Sequence, residues 1–378
     1  MKIEEITTRA YLFGLNAATG SDAAVAAREV LTIEVRTDDG ALGVSYLTGA
    51  SRPGLSASGQ EVAVLKAILD RILTPMYLRR GVFERERLWA EAYQKTLRYG
   101  GKGAVMVALS GLDIAMWDLA GRYAGVSVSQ LLGGYRESVP AYVLCGAKGN
   151  TPEAVGEDVA RLVDNGFTMV KIKVGSPDVR ADITRTEAAV TAAGSRGRII
   201  VDANEAWSAS QAAEYMWLAR DLGLLWVEEP VPLHDLNAYR QLSTRSHLAL
   251  AVGDVESDRH AFRPFITEGL IGFTHADATR IGGITSWMKL ANLAEAFNIR
   301  SAAHAATEVH IQTLSAIPNG AAVEYFEPEH RAQWPLDRLF PNASELRTVR
   351  DGMMLVPQVP GLGLQLDPSA GKAYEIQL

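Results

Sequence analysis

The sequence contains one cysteine, Cys145, among 378 residues. A single thiol cannot build a disulfide framework or a cysteine-rich zinc site within the chain. An excess of positive charge is also absent, because 37 Lys and Arg face 44 Asp and Glu, for a formal net charge of −7. This balance argues against a nucleic-acid partner, and an anionic substrate would have to meet local cations.

Long uncharged hydrophobic runs are missing too. The most apolar stretch, residues 104–120, is interrupted by Asp113 and Asp118, which predicts a buried helix rather than a membrane span. Acidic residues at positions 4 and 5 stand where a signal peptide has its apolar core. We therefore expect a cytoplasmic protein with no membrane partner.

The first third of the sequence has the pattern of an antiparallel sheet followed by helices. Three segments alternate polar and apolar residues, and Asp38-Asp39-Gly40 predicts a hairpin between the last two. The predicted strands are 3–13, 29–36 and 41–46, and the predicted helices are 59–72, 83–93 and 103–122. Beyond about residue 340 the chain turns to loops, which we expect to pack back onto this first region.

From residue 139 onward, short apolar strands alternate with amphipathic helices. The eight predicted strands are 139–144, 169–174, 199–203, 225–227, 248–252, 273–276, 299–303 and 322–325. This alternation indicates parallel βαβ units, and eight of them that close on themselves form a (β/α)₈ barrel. A doubly wound open sheet is the alternative, but no strand is followed by a Gly-x-Gly-x-x-Gly turn.

Polar residues stand at the C-terminal ends of the predicted barrel strands, where barrel enzymes carry their chemistry. In chain order they are Lys171, Lys173, Asp202, Asn204, Glu228, Glu229, Asp254, Asp277, His304 and Glu324. About one βα unit separates each group from the next, so all of them can converge on one mouth of the barrel.

Three of these acids, Asp202, Glu228 and Asp254, end consecutive strands. Three carboxylates brought together repel one another and raise one another's pKa, and a hard divalent cation relieves the repulsion. Ligation by oxygen alone favours Mg²⁺ over zinc. For each acid taken singly, capping of the next helix is the alternative.

Lys171 and Lys173 lie two residues apart on an apolar strand, so both point into the barrel. We expect the two ammonium groups to lower each other's pKa, which suits a lysine base near neutral pH. The alternative is a pair of lysines that extend to solvent from the strand end.

His304 follows three small residues, and Asp277 ends the preceding strand, so a carboxylate is available to bond one ring nitrogen and fix the tautomer. We interpret His275 as structural, His310 as a residue on a helix face outside the site, and Glu229 as a strand terminator.

A set of motifs spread over nearly the whole chain resembles the enolase superfamily, and within it the mandelate racemase subgroup. Residues 109–121 and 131–134 extend the resemblance to the first region. The matching barrel motifs are Lys171-Ile172-Lys173, Val201-Asp202-Ala203-Asn204, Glu228-Glu229-Pro230, Gly253-Asp254, Asp277-Ala278-Thr279-Arg280-Ile281-Gly282-Gly283, Ala303-His304 and Val323-Glu324-Tyr325.

The resemblance implies an α/β fold, a modified TIM (β/α)7-8 barrel with an N-terminal α+β capping domain. We expect the cap at residues 1–125, completed by the C-terminal segment of about 352–378, and the barrel at 126–351. Assembly into a homo-oligomer is expected as well.

The resemblance also implies Mg²⁺-dependent removal of the proton α to a carboxylate, through a stabilised enolate. One Mg²⁺ per subunit would be held by Asp202, Glu228 and Asp254. The subgroup more often has Glu where this chain has Asp254, so Glu256 or a water is a candidate to share that ligation.

The same resemblance assigns a role to each remaining group at the mouth. Lys173 is the base on one face of the α-carbon, Lys171 lies near the substrate carboxylate, His304 with Asp277 serves the opposite face, Glu324 hydrogen-bonds the substrate carboxylate, and Asn204 lines the pocket.

Two reactions of a small-molecule carboxylate fit these groups. The first is dehydration of an acid sugar, an aldonate or aldarate, to a 2-keto-3-deoxy acid, and the second is racemisation or epimerisation of a 2-hydroxy acid. Residues 15–24 are small and polar, which favours a sugar, and Asn16 and Thr19 are predicted to bind it. A catalytically inactive barrel that serves as a binding protein is the third hypothesis.

Overall fold

The computed structural model describes residues 1–14, 27–51, 59–145, 149–328, 330 and 333–378. Asn16 and Thr19, the two predicted substrate-binding residues of the first region, lie outside these described residues.

The N-terminal region contains the predicted antiparallel meander. Its strands are β1 (Ile3–Gly14), β2 (Ala27–Thr37) and β3 (Leu42–Ser51). The hairpin between β2 and β3 closes through Thr37, whose N–H bonds the Ala41 carbonyl at 3.0 Å. Gly40 has φ +86 in this turn, a conformation that glycine adopts without strain.

Within the described residues, five helices follow the meander. They are α1 (Gln60–Ile68), α2 (Thr74–Tyr77), α3 (Arg85–Thr96), α4 (Ala104–Ala124) and α5 (Val128–Leu132), and a π-helical turn, Leu69–Leu73, joins α1 to α2. Helix α4 packs directly on the meander. The contact at Gly43 is so close that a Cβ there would stand 2.4 Å from the Ala115 carbonyl oxygen.

Helix α4 is long and apolar enough to cross a membrane by length and composition, but 83% of its most apolar window is buried inside the protein. The two acids that interrupt it fasten it to other parts of the fold. Asp118 accepts the N–H groups of Val44 and Leu362, both at 2.7 Å. Asp113 accepts the N–H and hydroxyl of Thr285 at 2.9 and 2.7 Å. These acids therefore connect α4 to the meander, the barrel and the C-terminal segment.

Eight parallel strands form the barrel, and its closure confirms the predicted fold class and excludes an open sheet. The strands are β4 (Ser138–Cys145), β5 (Met169–Lys173), β6 (Arg198–Asp202), β7 (Val227–Glu228), β8 (Leu250–Val252), β9 (Phe273–Thr274), β10 (Arg300–Ala303) and β11 (Gly320–Tyr325). Each strand pairs with the next, and β11 pairs with β4 through Glu324 and Tyr142 among other residues.

In the part of the barrel that the structure describes, seven helices connect these strands on the outside. They are α6 (Pro152–Asp164), α7 (Val179–Ala193), α8 (Ala209–Leu218), α9 (Leu236–Arg245), α10 (Phe262–Thr267), α11 (Gly283–Ala296) and α12 (Thr307–Leu314). A short 3₁₀ turn, Arg259–Ala261, precedes α10.

The segment after the barrel contributes to both sheets. Its elements are α13 (Trp334–Leu339), β12 (Val349–Arg350), β13 (Met353–Leu355), α14 (Pro368–Gly371) and β14 (Glu375–Ile376). Strand β13 pairs antiparallel with β4 of the barrel, whereas β14 pairs with β1 of the meander. The division at residues 125, 126 and 352 stays a prediction, and the tail from 352 onward contacts both regions.

Candidate active site

Three buried carboxylates lie together at the C-terminal mouth of the barrel. Asp202 and Glu228 are the last residues of β6 and β7, and Asp254 follows β8 by two residues. Each offers an oxygen, and these oxygens lie within 4.8 Å of one another. Burial, together with the Asp202 carboxylate, raises the pKa of Glu228 to about 8.

This donor set fits a divalent cation of the Mg²⁺ type. All three ligands are oxygens, the ligand type that hard cations prefer. Oδ1 of Asp254 is buried and has no hydrogen-bond partner within the described residues. An unpartnered buried carboxylate oxygen is costly unless a cation approaches it.

The backbone around Asp254 explains how the shorter side chain reaches the site. Oε1 of Glu229 accepts the N–H groups of Gly253 and Asp254 at 3.1 and 3.0 Å. Gly253 has φ +119, and a Cβ there would stand 2.2 Å from the Phe262 ring, so this turn requires glycine. Glu229 does follow the end of β7, but its carboxylate also fixes the Asp254 backbone, a contact that the strand-terminator interpretation missed.

Glu256 does not join the carboxylate cluster. Its Oε1 accepts the backbone N–H groups of Ser257 and Asp258 at 2.7 and 2.8 Å. Asp202, Glu228 and Asp254 form the cluster without it.

The two lysines of β5 face the carboxylates. Nζ of Lys171 is fully buried, 2.8 Å from Glu324, 3.1 Å from Glu228 and 3.6 Å from Asp202. Lys173 pairs with Asp202 and keeps 22% of its side chain exposed. Lys171 is thus held from three sides, while Lys173 reaches open space.

The net pKa shifts of the lysines differ in sign from the sequence-based expectation. Burial opposes the charge of Lys173 and Lys171 lowers its pKa further, but the Asp202 and Glu228 carboxylates together outweigh both and raise it. Burial likewise opposes the charge of Lys171, and Glu228 and Glu324 raise its pKa well above the usual value. A divalent cation among these acids would act in the opposite direction, because positive charge favours the neutral amine.

His304 and Asp277 form a hydrogen-bonded pair at the mouth. Nδ1 of His304 lies 3.2 Å from Oδ2 of Asp277, so Nε2 is the nitrogen left to act on a substrate. The other oxygen of Asp277 accepts the N–H and hydroxyl of Thr279, both at 2.7 Å. Burial opposes the imidazolium, but Asp254 and Asp277 together raise the pKa of His304.

His310 belongs to this pair's surroundings, which the sequence interpretation missed. It lies in α12 and is fully buried, with Nε2 accepting the Ala278 N–H at 3.1 Å and lying 3.7 Å from Asp277. The helical pattern around His310 does not reveal this contact, because its partners, Asp277 and Ala278, lie in the loop that follows β9.

Glu324 and Asn204 complete the rim. Glu324 accepts the Ala305 N–H at 2.7 Å, and the backbone is left-handed at Ala305 (φ 48) and Ala306 (φ 38). Burial opposes the charge of Glu324, but Lys171, His304 and His275 together outweigh it and lower the pKa to about 2. The Asn204 side chain lies 3.4 Å from Asp202.

An aromatic layer closes the barrel beneath these groups. The rings of Trp226 and Phe273 stack at 4.7 Å, and the Tyr142 hydroxyl lies 2.8 Å from Nε2 of His275. Burial, with Lys171, holds the pKa of His275 well below its usual range. His275 therefore lies within the floor as a neutral group.

A cavity of about 510 Å³ lies between the mouth and the meander. From the barrel it is lined by Lys173, Asn204, Asp277, His304 and Glu324, among others. Among the lining residues that sequence reasoning missed are Arg28, Tyr46, Thr48, Arg280 and Gln333. Arg280 lies in the motif at residues 277–283. The three residues from β2 and β3 have no sequence motif that marks them as site residues, because their position depends on how the cap packs on the barrel.

Adding Mg²⁺ to metal-free protein is expected to raise its melting temperature, because a ligand that binds only the folded state stabilises it by about 2.7 kcal/mol at 100 times Kd. Asp254→Asn should weaken this shift by removing a charged ligand. Glu256→Gln is the matched control and should keep the full shift, since Glu256 faces the backbone. Differential scanning fluorimetry over a Mg²⁺ titration measures both, and an unchanged shift in Asp254→Asn would contradict the assignment.

Comparison with known proteins agrees with this architecture. Residues 154–370 match the family model described as enolase C-terminal domain-like, and residues 13–133 match the mandelate racemase / muconate lactonizing enzyme N-terminal domain. An L-talarate/galactarate dehydratase of Salmonella typhimurium strain LT2 is 31% identical over 344 residues, which cover 90% of this chain and 81% of that protein.

Two solved structures superpose over nearly all of the chain. A racemase from Streptomyces coelicolor A3(2) with bound magnesium gives a TM-score of 0.88 at 26% identity, covering 99% of this chain and 100% of the other. An L-talarate dehydratase from Polaromonas sp. JS666, complexed with Mg and L-glucarate, gives a TM-score of 0.86 at 27% identity, covering 100% of this chain and 98% of the other. The fold, the order of the motifs and both domain matches lead to one conclusion: this chain belongs to the mandelate racemase / muconate lactonizing enzyme family of the enolase superfamily.

Proposed function

We propose that this chain is a Mg²⁺-dependent hydro-lyase that dehydrates an acid sugar to a 2-keto-3-deoxy acid. The observation that carries the proposal is that Lys173 and His304 line the same cavity from β5 and from the end of β10. Around the closed barrel these strands are separated by β4 and β11. A base and an acid are thus available on different sides of one substrate.

In the proposed reaction Lys173, as the neutral amine, takes the proton from the α-carbon, and the electron pair of that C–H bond moves toward the carboxylate. A divalent cation bound by Asp202, Glu228 and Asp254 would supply positive charge for the substrate carboxylate as this negative charge develops. Lys171, held by Glu228 and Glu324, adds a fixed ammonium next to the same region.

His304 then supports loss of the β-hydroxyl. The C–O bond breaks as Nε2 gives its proton to the departing oxygen, which leaves as water. Asp277 accepts from Nδ1 and so holds the ring with Nε2 available. The resulting enol rearranges to the 2-keto-3-deoxy acid, so the net change is loss of one water.

The second candidate is a racemase or epimerase of a 2-hydroxy acid, because His304 could instead return a proton to the α-carbon from its side. The cavity lining favours dehydration, since Thr48, Asn204, Thr279 and Gln333 offer hydrogen bonds to a polyhydroxylated chain. An inactive binding protein is the third candidate, and the presence of base, acid and carboxylate cluster in one cavity argues against it.

Screening the purified protein with Mg²⁺ against a library of aldonates and aldarates for 2-keto acid formation tests the proposal. We expect a keto product from at least one acid sugar. Absence of any keto product, together with α-proton exchange into deuterated solvent from 2-hydroxy acids, would replace it with the racemase. Binding without product or exchange would favour the inactive barrel.

The finer substrate, the cytoplasmic location and assembly into a homo-oligomer stay predictions. They do not enter the chemistry proposed for the cavity.

A further inference from the structure

We infer that the substrate is a dicarboxylic acid sugar, and that Arg28 and Arg280 bind the carboxylate that does not react. This inference rests on the proposed function, because it names the substrate class of the same cavity. Arg28 reaches the cavity from β2 of the cap, and Arg280 reaches it from the loop that follows β9.

These two guanidinium groups are not among the charged groups that the proposed proton transfers use. The reacting end already contains Lys171 and Lys173, which pair with Glu228, Glu324 and Asp202. Neither arginine belongs to that set. A hydroxyl chain needs no permanent cation, whereas a second carboxylate is stabilised by one, and guanidinium matches a carboxylate with two parallel hydrogen bonds.

Arg280 has donors available for such a ligand. Its side chain is 40% exposed, and Nε lies 3.8 Å from Oδ2 of Asp277, beyond hydrogen-bond distance. Within the described part of the chain, its guanidinium donates no hydrogen bond to another residue, and Asp277 is the one carboxylate within 4 Å. That oxygen already faces His304 at 3.2 Å.

The distribution of acids in the cavity supports the same conclusion. Among the described lining residues, Asp277 and Glu324 are the carboxylates. Both are engaged, Asp277 by His304 and Thr279, and Glu324 by Lys171 and the Ala305 N–H. Thr48 and Gln333, which also line the cavity, are neutral polar groups. The positive charge of Arg280 is therefore available to favour an anion in the cavity.

Matched pairs of hexarates and hexonates, identical at carbons 2 to 5, isolate the distal group, because they differ only in a carboxylate against a hydroxymethyl. We expect wild-type protein with Mg²⁺ to prefer the hexarate of a pair in kcat/KM and in thermal stabilisation. Arg280→Met and Arg28→Met should each lower the hexarate-to-hexonate ratio roughly 10–100-fold, the effect of losing a hydrogen bond to a charged group. Arg240→Met, which removes a surface pair with Glu268, is the control and should leave the ratio unchanged.

An equal loss on both members of a pair would overturn the inference, because it would mean that Arg280 acts through Asp277 and not on the distal group. Preference of the wild-type protein for hexonates, or no preference in binding, would overturn it too. The thermal shift separates this failure from failure of the proposed function: hexarate-selective binding without keto product would retain the dicarboxylate site and reject the dehydratase.

Discussion

Lys173→Ala is expected to remove both keto-acid formation and α-proton exchange, because no other amine in the described cavity is placed to accept the proton. Lys171 cannot take over, since it is fully buried and its Nζ is held by Glu324 at 2.8 Å and Glu228 at 3.1 Å. A positioned general base contributes roughly 10²–10⁴-fold, so a loss at the upper end of this range is expected in kcat.

Lys173→Arg separates basicity from charge. Arginine keeps the positive charge beside Asp202 but has a pKa above 12, so it does not provide a neutral nitrogen. We expect it to be as inactive as the alanine variant. Lys289→Ala removes a surface lysine that pairs with Glu86 and should retain full activity. Exchange at the wild-type rate, measured by NMR in deuterated solvent, in either Lys173 variant would refute the assignment of the base.

The placement of Lys173 shows how much of the site local sequence can predict. The segment 169–174 predicts a strand with both lysines on one face, and the strand Met169–Lys173 places them there. Asp202 and Glu228 follow the same logic, because each strand is short, apolar and ended by its polar residue. Closure of parallel strands then brings these ends together without any further information.

Other parts of the site depend on contacts between distant segments. Arg28, Tyr46 and Thr48 reach the cavity only because the meander sits over the barrel, a relation that Asp113 and Asp118 of α4 help to fix. The net pKa shift of Lys173 depends on Asp202, which lies on the neighbouring strand. Repulsion between the two lysines alone therefore predicted the wrong direction for this shift. The packing of the cap on the barrel and the interactions between charges on different strands leave no periodic pattern in the sequence.

His304→Asn is expected to stop dehydration while leaving α-proton exchange in place. Asparagine retains an amide that can face Asp277 but has no proton to give to the departing hydroxyl. Keto-acid formation should fall roughly 10²–10⁴-fold, the usual contribution of a positioned acid. Exchange should persist, because Lys173 approaches the α-carbon from β5 and does not contact His304 among the described hydrogen bonds.

Comparing the two variants gives the order of events and the side of the substrate on which each group acts. His247→Asn is the matched control, since His247 is a surface histidine whose Nε2 lies 2.9 Å from the Arg220 carbonyl, and it should change neither readout. Loss of α-proton exchange in His304→Asn with its retention in Lys173→Ala would reverse the two roles and make His304 the base. Loss of exchange in both variants would mean that proton removal needs His304 as well, and the stepwise scheme would give way to one in which the C–H and C–O bonds break together. If α-proton exchange persists in His304→Asn and is lost in Lys173→Ala, the base is the lysine and the acid that acts after it is the histidine.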